Sequence, residues 1–269
     1  MHPRVCLHQV GFLSEPTPAF LDFCRAIGVA HTTLANPHML GPTALDDTLA
    51  ALRKGGVQAT NLTQPFARYP DLEHDTGEAA DRLNAAIDAA AVLGCHHLYI
   101  VSGPRGRLDW EQAAERLAEL LVPCRHHAVR QNVTLSIETA NLLNADIHFT
   151  HTLDDTIRAA EIAGIGVTLD LGACWFEGDL RAKFRRAMPL VRLVQLNDYV
   201  PGDRSTPCRA VPGDGVVPLE RLIADLLDGG YDGVFDLELT GPRIEAEGHR
   251  AAFQRAAENL SEILTRLGA

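Results

Sequence analysis

The sequence predicts an α/β chain folded as one (β/α)8 TIM barrel over residues 1–269. Three observations carry that expectation. Short apolar runs alternate with longer amphipathic stretches throughout, which implies parallel strands joined by crossover helices. Eight such units fit within 269 residues, an ordinary length for a one-domain barrel. An open doubly wound sheet usually shows Gly-x-Gly-x-x-Gly after its first strand, and that pattern is absent.

The first strand is expected over 4–9 and its helix over 15–27; the second pair falls at 29–34 and 42–54. The third occupies 57–62 and 76–93, and Gly94 stands where that helix must stop. The fourth follows at 97–102 and 109–131. The fifth strand covers 133–139, and Thr152 ahead of Asp154 and Asp155 marks the start of its helix, 152–163, which ends at Gly164. Then come 165–171 with 178–188, 191–197 with 217–229 closed by Gly229-Gly230, and 233–239 with 245–267. No repeat, low-complexity segment or linker divides the chain, and 46% hydrophobic residues supply a large core.

Bulk properties narrow the function. A net charge of −11 with no basic strip disfavours nucleic acid as a partner. The six cysteines form no Cys-x-x-Cys pair, as expected of reduced, buried thiols in a cytoplasmic protein. Nothing at the N-terminus resembles a signal peptide, and no apolar run reaches the roughly 18 residues that a membrane span needs, so no membrane is expected. The sequons at Asn61 and Asn132 are then accidental.

Side chains alternate faces along a strand. In 133–139, Val133, Leu135 and Ile137 oppose Thr134, Ser136 and Glu138. In 165–171, the apolar file opposes Gly166, Thr168 and Asp170; in 233–239 it opposes Val234, Asp236 and Glu238. Gln195 ends the matching file of 191–197. If the apolar files pack on outer helices, then Glu138, Asp170, Gln195 and Glu238 meet at the C-terminal mouth, where such barrels keep their active sites. Their spacings of 32, 25 and 43 residues are each about one unit, the last lengthened by a loop over 199–216. Three converging carboxylates repel unless a cation sits among them. Three acids and an amide carbonyl are an all-oxygen set, which favours one divalent ion, Mn²⁺ or Mg²⁺ ahead of Co²⁺ or Zn²⁺.

At this point the chain resembles the sugar (phosphate) isomerase/epimerase family of xylose isomerase-like TIM barrels. SIETAN (136–141), TLDLG (168–172), VQLNDY (194–199), RAVPGDG (209–215) and GYDGVFDLEL (230–239) carry the likeness through their order and spacing. The resemblance implies that Glu138, Asp170, Gln195 and Glu238 ligate the metal; many members have His at the third position, and some have Gln, as here. It further implies that Glu138 and Glu238 move a proton next to a substrate carbonyl through a metal-stabilised enediolate. Arg209 matches an arginine that contacts substrate oxygens. A histidine common three residues after the aspartate is replaced by Ala173, with Trp175 walling the pocket or packing under a loop. A dehydratase or lyase acting on a keto-sugar or inosose is the alternative, since it uses the same metal-stabilised enolate. An endonuclease IV-like enzyme would need several strand-end histidines, and a binding barrel without catalysis would not need the four ligands. The implied partner is a small carbohydrate or polyol, and a homo-oligomer, dimer or tetramer, is left open.

Asp198 is expected to brace the ligands from behind or to cap the next turn. His31 and Asn61 are candidates for substrate hydroxyls or for ordinary packing. His148 and His151 are read as lying in a solvated loop, and His96-His97 and His126-His127 as away from the site. Gly241-Pro242-Arg243 is a weak candidate for phosphate binding.

Overall fold

The computed structural model describes residues 1–269. Its elements follow the order β1 (Val5–His8), α1 (Thr17–Ala26), β2 (His31–Ala35), α2 (Ala44–Leu52), β3 (Gln58–Pro65), α3 (Glu78–Leu93), β4 (His97–Val101), α4 (Trp110–Arg130), β5 (Thr134–Glu138), α5 (Leu153–Ala163), β6 (Gly166–Asp170), α6 (Leu171–Cys174), α7 (Leu180–Ala187), β7 (Val191–Leu196), α8 (Leu219–Asp228), β8 (Phe235–Leu237), α9 (Pro242–Glu247) and α10 (His249–Leu267). The strands pair in parallel, each with the next, and β8 closes on β1. The expected barrel is therefore present. No helix is long and apolar enough to cross a membrane.

Sequence punctuation acts where expected. Thr152 caps α5 by accepting from the Asp155 N–H at 3.0 Å, and Gly94 and Gly164 end α3 and α5 in the left-handed conformation. Two short helices were not anticipated. The Asp170 carboxylate accepts from the Gly172 N–H at 2.8 Å, so β6 passes directly into α6. Pro242 occupies the first turn of α9, which ends at Gly248.

The apolar files, such as Leu98 with Ile100 and Val167 with Leu169, are buried in the core cluster with the helices. Inward residues from β2 to β6 are polar and hydrogen-bond to one another. The Asn61 Nδ2 donates to Thr33 Oγ1 at 3.0 Å, while His97 links Asn61 Oδ1 and Ser136 Oγ, each at 2.8 Å. Ser136 Oγ lies 2.7 Å from Thr168 Oγ1. This belt joins β2 to β6 inside the barrel. Burial drives the His97 pKa down to about 3, so the ring is neutral and serves as one donor and one acceptor.

Above β4, Gly103 lets three mouth loops meet. It has φ +90°, and its N–H donates to the Ile147 carbonyl at 2.9 Å. A Cβ there would collide with the backbone of Ala67. Gly103→Ala is expected to cost roughly 2–3 kcal/mol of stability through backbone strain and this collision. Urea denaturation measures it, and a loss below about 0.5 kcal/mol would show that the loops can yield.

Candidate active site

Adjacent strands bring the acids together because their inward phases agree. Asp170 pairs with Gln195 across β6 and β7, and Gln195 pairs with Asp236, two residues before Glu238. Glu138, Asp170 and Glu238 are all buried, with carboxylate oxygens within 4.8 Å of one another. Burial, then the charges of Glu238 and Asp170, push the Glu138 pKa well above the usual range. Burial likewise raises Asp170 to about 6, although Arg209 opposes the shift.

Arg209 partly offsets this repulsion. Its Nη1 donates to Glu238 Oε1 at 2.7 Å and to Thr240 Oγ1 at 3.2 Å, and its Nη2 lies 3.7 Å from Asp170 Oδ2. Burial pulls the guanidinium pKa down, but Glu238, Asp170 and Glu138 outweigh it and raise it overall.

Asp198 holds the loop that carries Arg209 rather than the acids themselves. Its carboxylate accepts from the N–H groups of Tyr199, Gly213, Gly215 and Val217 at 2.8, 2.9, 2.9 and 3.0 Å. Its own backbone exchanges two hydrogen bonds with Ala210, at 2.9 and 2.8 Å. Arg243 is also committed, as a fork onto Asp203 in the same loop, so it is engaged rather than free for phosphate.

Gln195 is fully buried beneath the acids. Its Nε2 donates to Glu238 Oε2 at 2.8 Å and to Tyr99 Oη at 3.2 Å. Its Oε1 is buried with no hydrogen-bond partner. A buried carbonyl left so costs roughly 1–3 kcal/mol, which a cation would recover. The donor set therefore fits a hard divalent ion, with Glu138, Asp170, Glu238 and the Gln195 carbonyl as the residues that could hold it.

A pocket of about 360 Å³ opens over the acids. Glu138, Asp170 and Arg209 line it, together with Trp175, Phe176 and Asn197. Trp175 forms wall, tilted against Tyr199 at 6.1 Å.

Two expected residues are not brought to this mouth. His31 is the first residue of β2, at the opposite end, where its Nδ1 meets Thr60 Oγ1 at 2.8 Å. Asn61 lies in the interior belt. The reason is strand extent: β2 starts at 31 and β3 runs on to 65, so both residues sit lower than the expected ranges placed them. His148 requires the opposite correction. Residues 148–150 of its loop are buried rather than solvated; the His148 ring is 3% exposed, with Nε2 3.7 Å from Glu138 Oε2. Hydrogen bonds from Phe149 N–H to Ser102 Oγ at 3.1 Å and from Thr150 Oγ1 to the Glu138 carbonyl at 3.2 Å fold the loop inward. Burial lowers the His148 pKa to about 3.

Asn197 and Tyr99 were overlooked as site residues. The Asn197 side chain lies against Gly172, where a Cβ would collide with it, and its Nδ2 is buried without a partner. The signal was available, because Asn197 shares the inward phase of Gln195. Tyr99 shares the phase of His97 in the same way.

Parallel closure with acids at the strand C-termini is the arrangement in which barrel enzymes keep their sites at the mouth. Residues 21–264 match the family described as xylose isomerase-like TIM barrel, and the chain belongs to that family. A Streptomyces coelicolor protein provisionally named hydroxypyruvate isomerase is 29% identical over 246 residues, covering 86% of each chain. Fructoselysine 3-epimerase of Shigella flexneri is 23% identical over 176 residues, 62% of this chain and 60% of its own. A solved structure of the IOLI protein with a binding zinc atom superposes with a TM-score of 0.84 at 16% identity, covering 98% of this chain and 99% of that one.

Asp198→Ala would strip a shared acceptor from four backbone N–H groups. It is expected to cost roughly 3 kcal/mol and to speed hydrogen exchange at Gly213, Gly215 and Val217. Unchanged exchange at those amides would show that water replaces the carboxylate.

The raised carboxyl pKa values give a second expectation. Asp170 shifts from 3.8 to about 6, so its folding contribution is present below about pH 4 and is lost as pH rises through 6; Glu138 acts in the same direction. Added Mn²⁺ should therefore raise the melting temperature more at about pH 7.5 than at about pH 5. Calorimetry with and without chelator checks this, and equal shifts at both pH values would contradict it.

Proposed function

We propose that the protein is a divalent-metal-dependent isomerase or epimerase of a small hydroxy-carbonyl compound, a sugar or sugar phosphate. The observation that carries this reading is the convergence of Glu138, Asp170 and Glu238 within 4.8 Å, beside the unpartnered carbonyl of Gln195. The names of the bacterial relatives, an isomerase and an epimerase, support it.

A cation held by Glu138, Asp170, Gln195 and Glu238 would supply charge neutralisation and polarise a substrate carbonyl, lowering the barrier to removing the adjacent C–H proton. Arg209 and Gln195 grip the two oxygens of Glu238 and fix its direction, which suits it to take that proton. Glu138 lines the pocket as part of the same cluster, which suits it to give one back. Arg209 and the unpaired Asn197 amide line the pocket, where substrate oxygens would meet them. Trp175 and Phe176 line the pocket with apolar rings, against which the carbon skeleton of a substrate would rest.

The test is a screen of ketoses, keto-glycosides and inososes with Mn²⁺, read by NMR in D₂O. Deuterium is expected at the carbon next to the carbonyl of the converted compound. Glu138→Gln and Glu238→Gln should each lower turnover by roughly 10²- to 10⁴-fold. Near-normal turnover in either variant refutes its role, and loss of water from the product would identify a lyase instead.

A further inference from the structure

We infer that Tyr99 and His8 are positioning residues that clasp the Gln195 amide in one orientation, leaving its carbonyl oxygen free for a divalent cation. This rests on the metal reading above.

Proton bookkeeping supports the clasp. The Val10 N–H donates to His8 Nδ1 at 2.9 Å, so that nitrogen is an acceptor. Burial lowers the His8 pKa to about 4, which keeps the ring neutral and places its one hydrogen on Nε2. His8 Nε2 lies 2.7 Å from Tyr99 Oη and must be the donor there. The hydroxyl thus meets the Gln195 Nε2 at 3.2 Å with one lone pair already used and the other facing an N–H. Gln195 commits its remaining N–H to Glu238 Oε2 at 2.8 Å. Both amide hydrogens are then spoken for, and Oε1 alone lacks a partner. Rotating the amide by half a turn would set its oxygen against the Glu238 carboxylate and present N–H groups where the carbonyl was. Tyr99 is only 2% exposed and His8 is equally buried, so water cannot readily substitute for either. Neither lines the pocket, so neither needs to touch substrate to exert this effect.

Tyr99→Phe keeps the ring and removes the acceptor. The wild-type protein is titrated first with Mn²⁺ alone, by electron paramagnetic resonance of the free ion; failure to bind overturns the metal reading and this inference with it. Given binding, Tyr99→Phe is expected to weaken it roughly 3- to 10-fold, the worth of one neutral hydrogen bond. In the metal-free protein, hydrogen exchange of the Gln195 side-chain amide should quicken about 10-fold while backbone amides of β4 and β7 stay protected. A general loss of packing would instead loosen the strands. Unaltered Gln195 exchange, or wild-type Mn²⁺ affinity in the variant, overturns the inference alone. If Tyr99→Phe does not fold, the same two measurements on His8→Leu, which removes the donor to Tyr99, decide between the same outcomes.

Discussion

Three carboxylates packed within 4.8 Å of one another, away from water, repel strongly, and much of the mouth is organised around that repulsion. An unpaired buried charge costs several kcal/mol, so each acid needs a donor, a proton or a cation. Arg209 supplies positive charge to Glu238 and Asp170, Gly172 supplies a backbone N–H to Asp170, and Gln195 supplies an amide hydrogen to Glu238. Glu138 has the weakest support of the three: His148, neutral and 3.7 Å away, is too far for a hydrogen bond. Its raised pKa follows first from depth and then from the charges of Glu238 and Asp170.

The position of the arginine is set by the hydrogen bonds that hold its loop. Asp198 gathers four N–H groups at separate points of the segment and pins Ala210, the residue beside Arg209. Gly215 is required at one of these points, since a Cβ would collide with the Tyr199 carbonyl. A carboxylate one residue beyond a buried amide thus does separate work from the ligands it neighbours. It shapes a cationic arm, and the arm tempers the acids.

The barrel was legible because the apolar runs and their punctuation repeat at one-unit spacing, and the four mouth residues were legible because strand alternation is strict. What escaped depended on quantities that alternation does not contain. It assigns a face but not a height, so His31 and Asn61 were placed too near the mouth when their strands proved to start or end later. His148 escaped for another reason: its inward course is set by Ser102 and Gly103 from a different unit, a tertiary contact with no local signature. Asn197 was within reach, since its phase is that of Gln195, but its use depends on the bare Cα of Gly172 across the strand gap.

The belt of Thr33, Asn61, His97, Ser136 and Thr168 has a consequence for how such a molecule can change over generations. Each member presents a donor or acceptor that only its neighbour matches, so slipping one strand by a single step would bury unmatched groups along the seam. The lower half of the barrel therefore records its own alignment. Loops above it are released from that duty and can be rebuilt for new ligands while the strands keep their places. Innovation at the top is underwritten by a conservative floor.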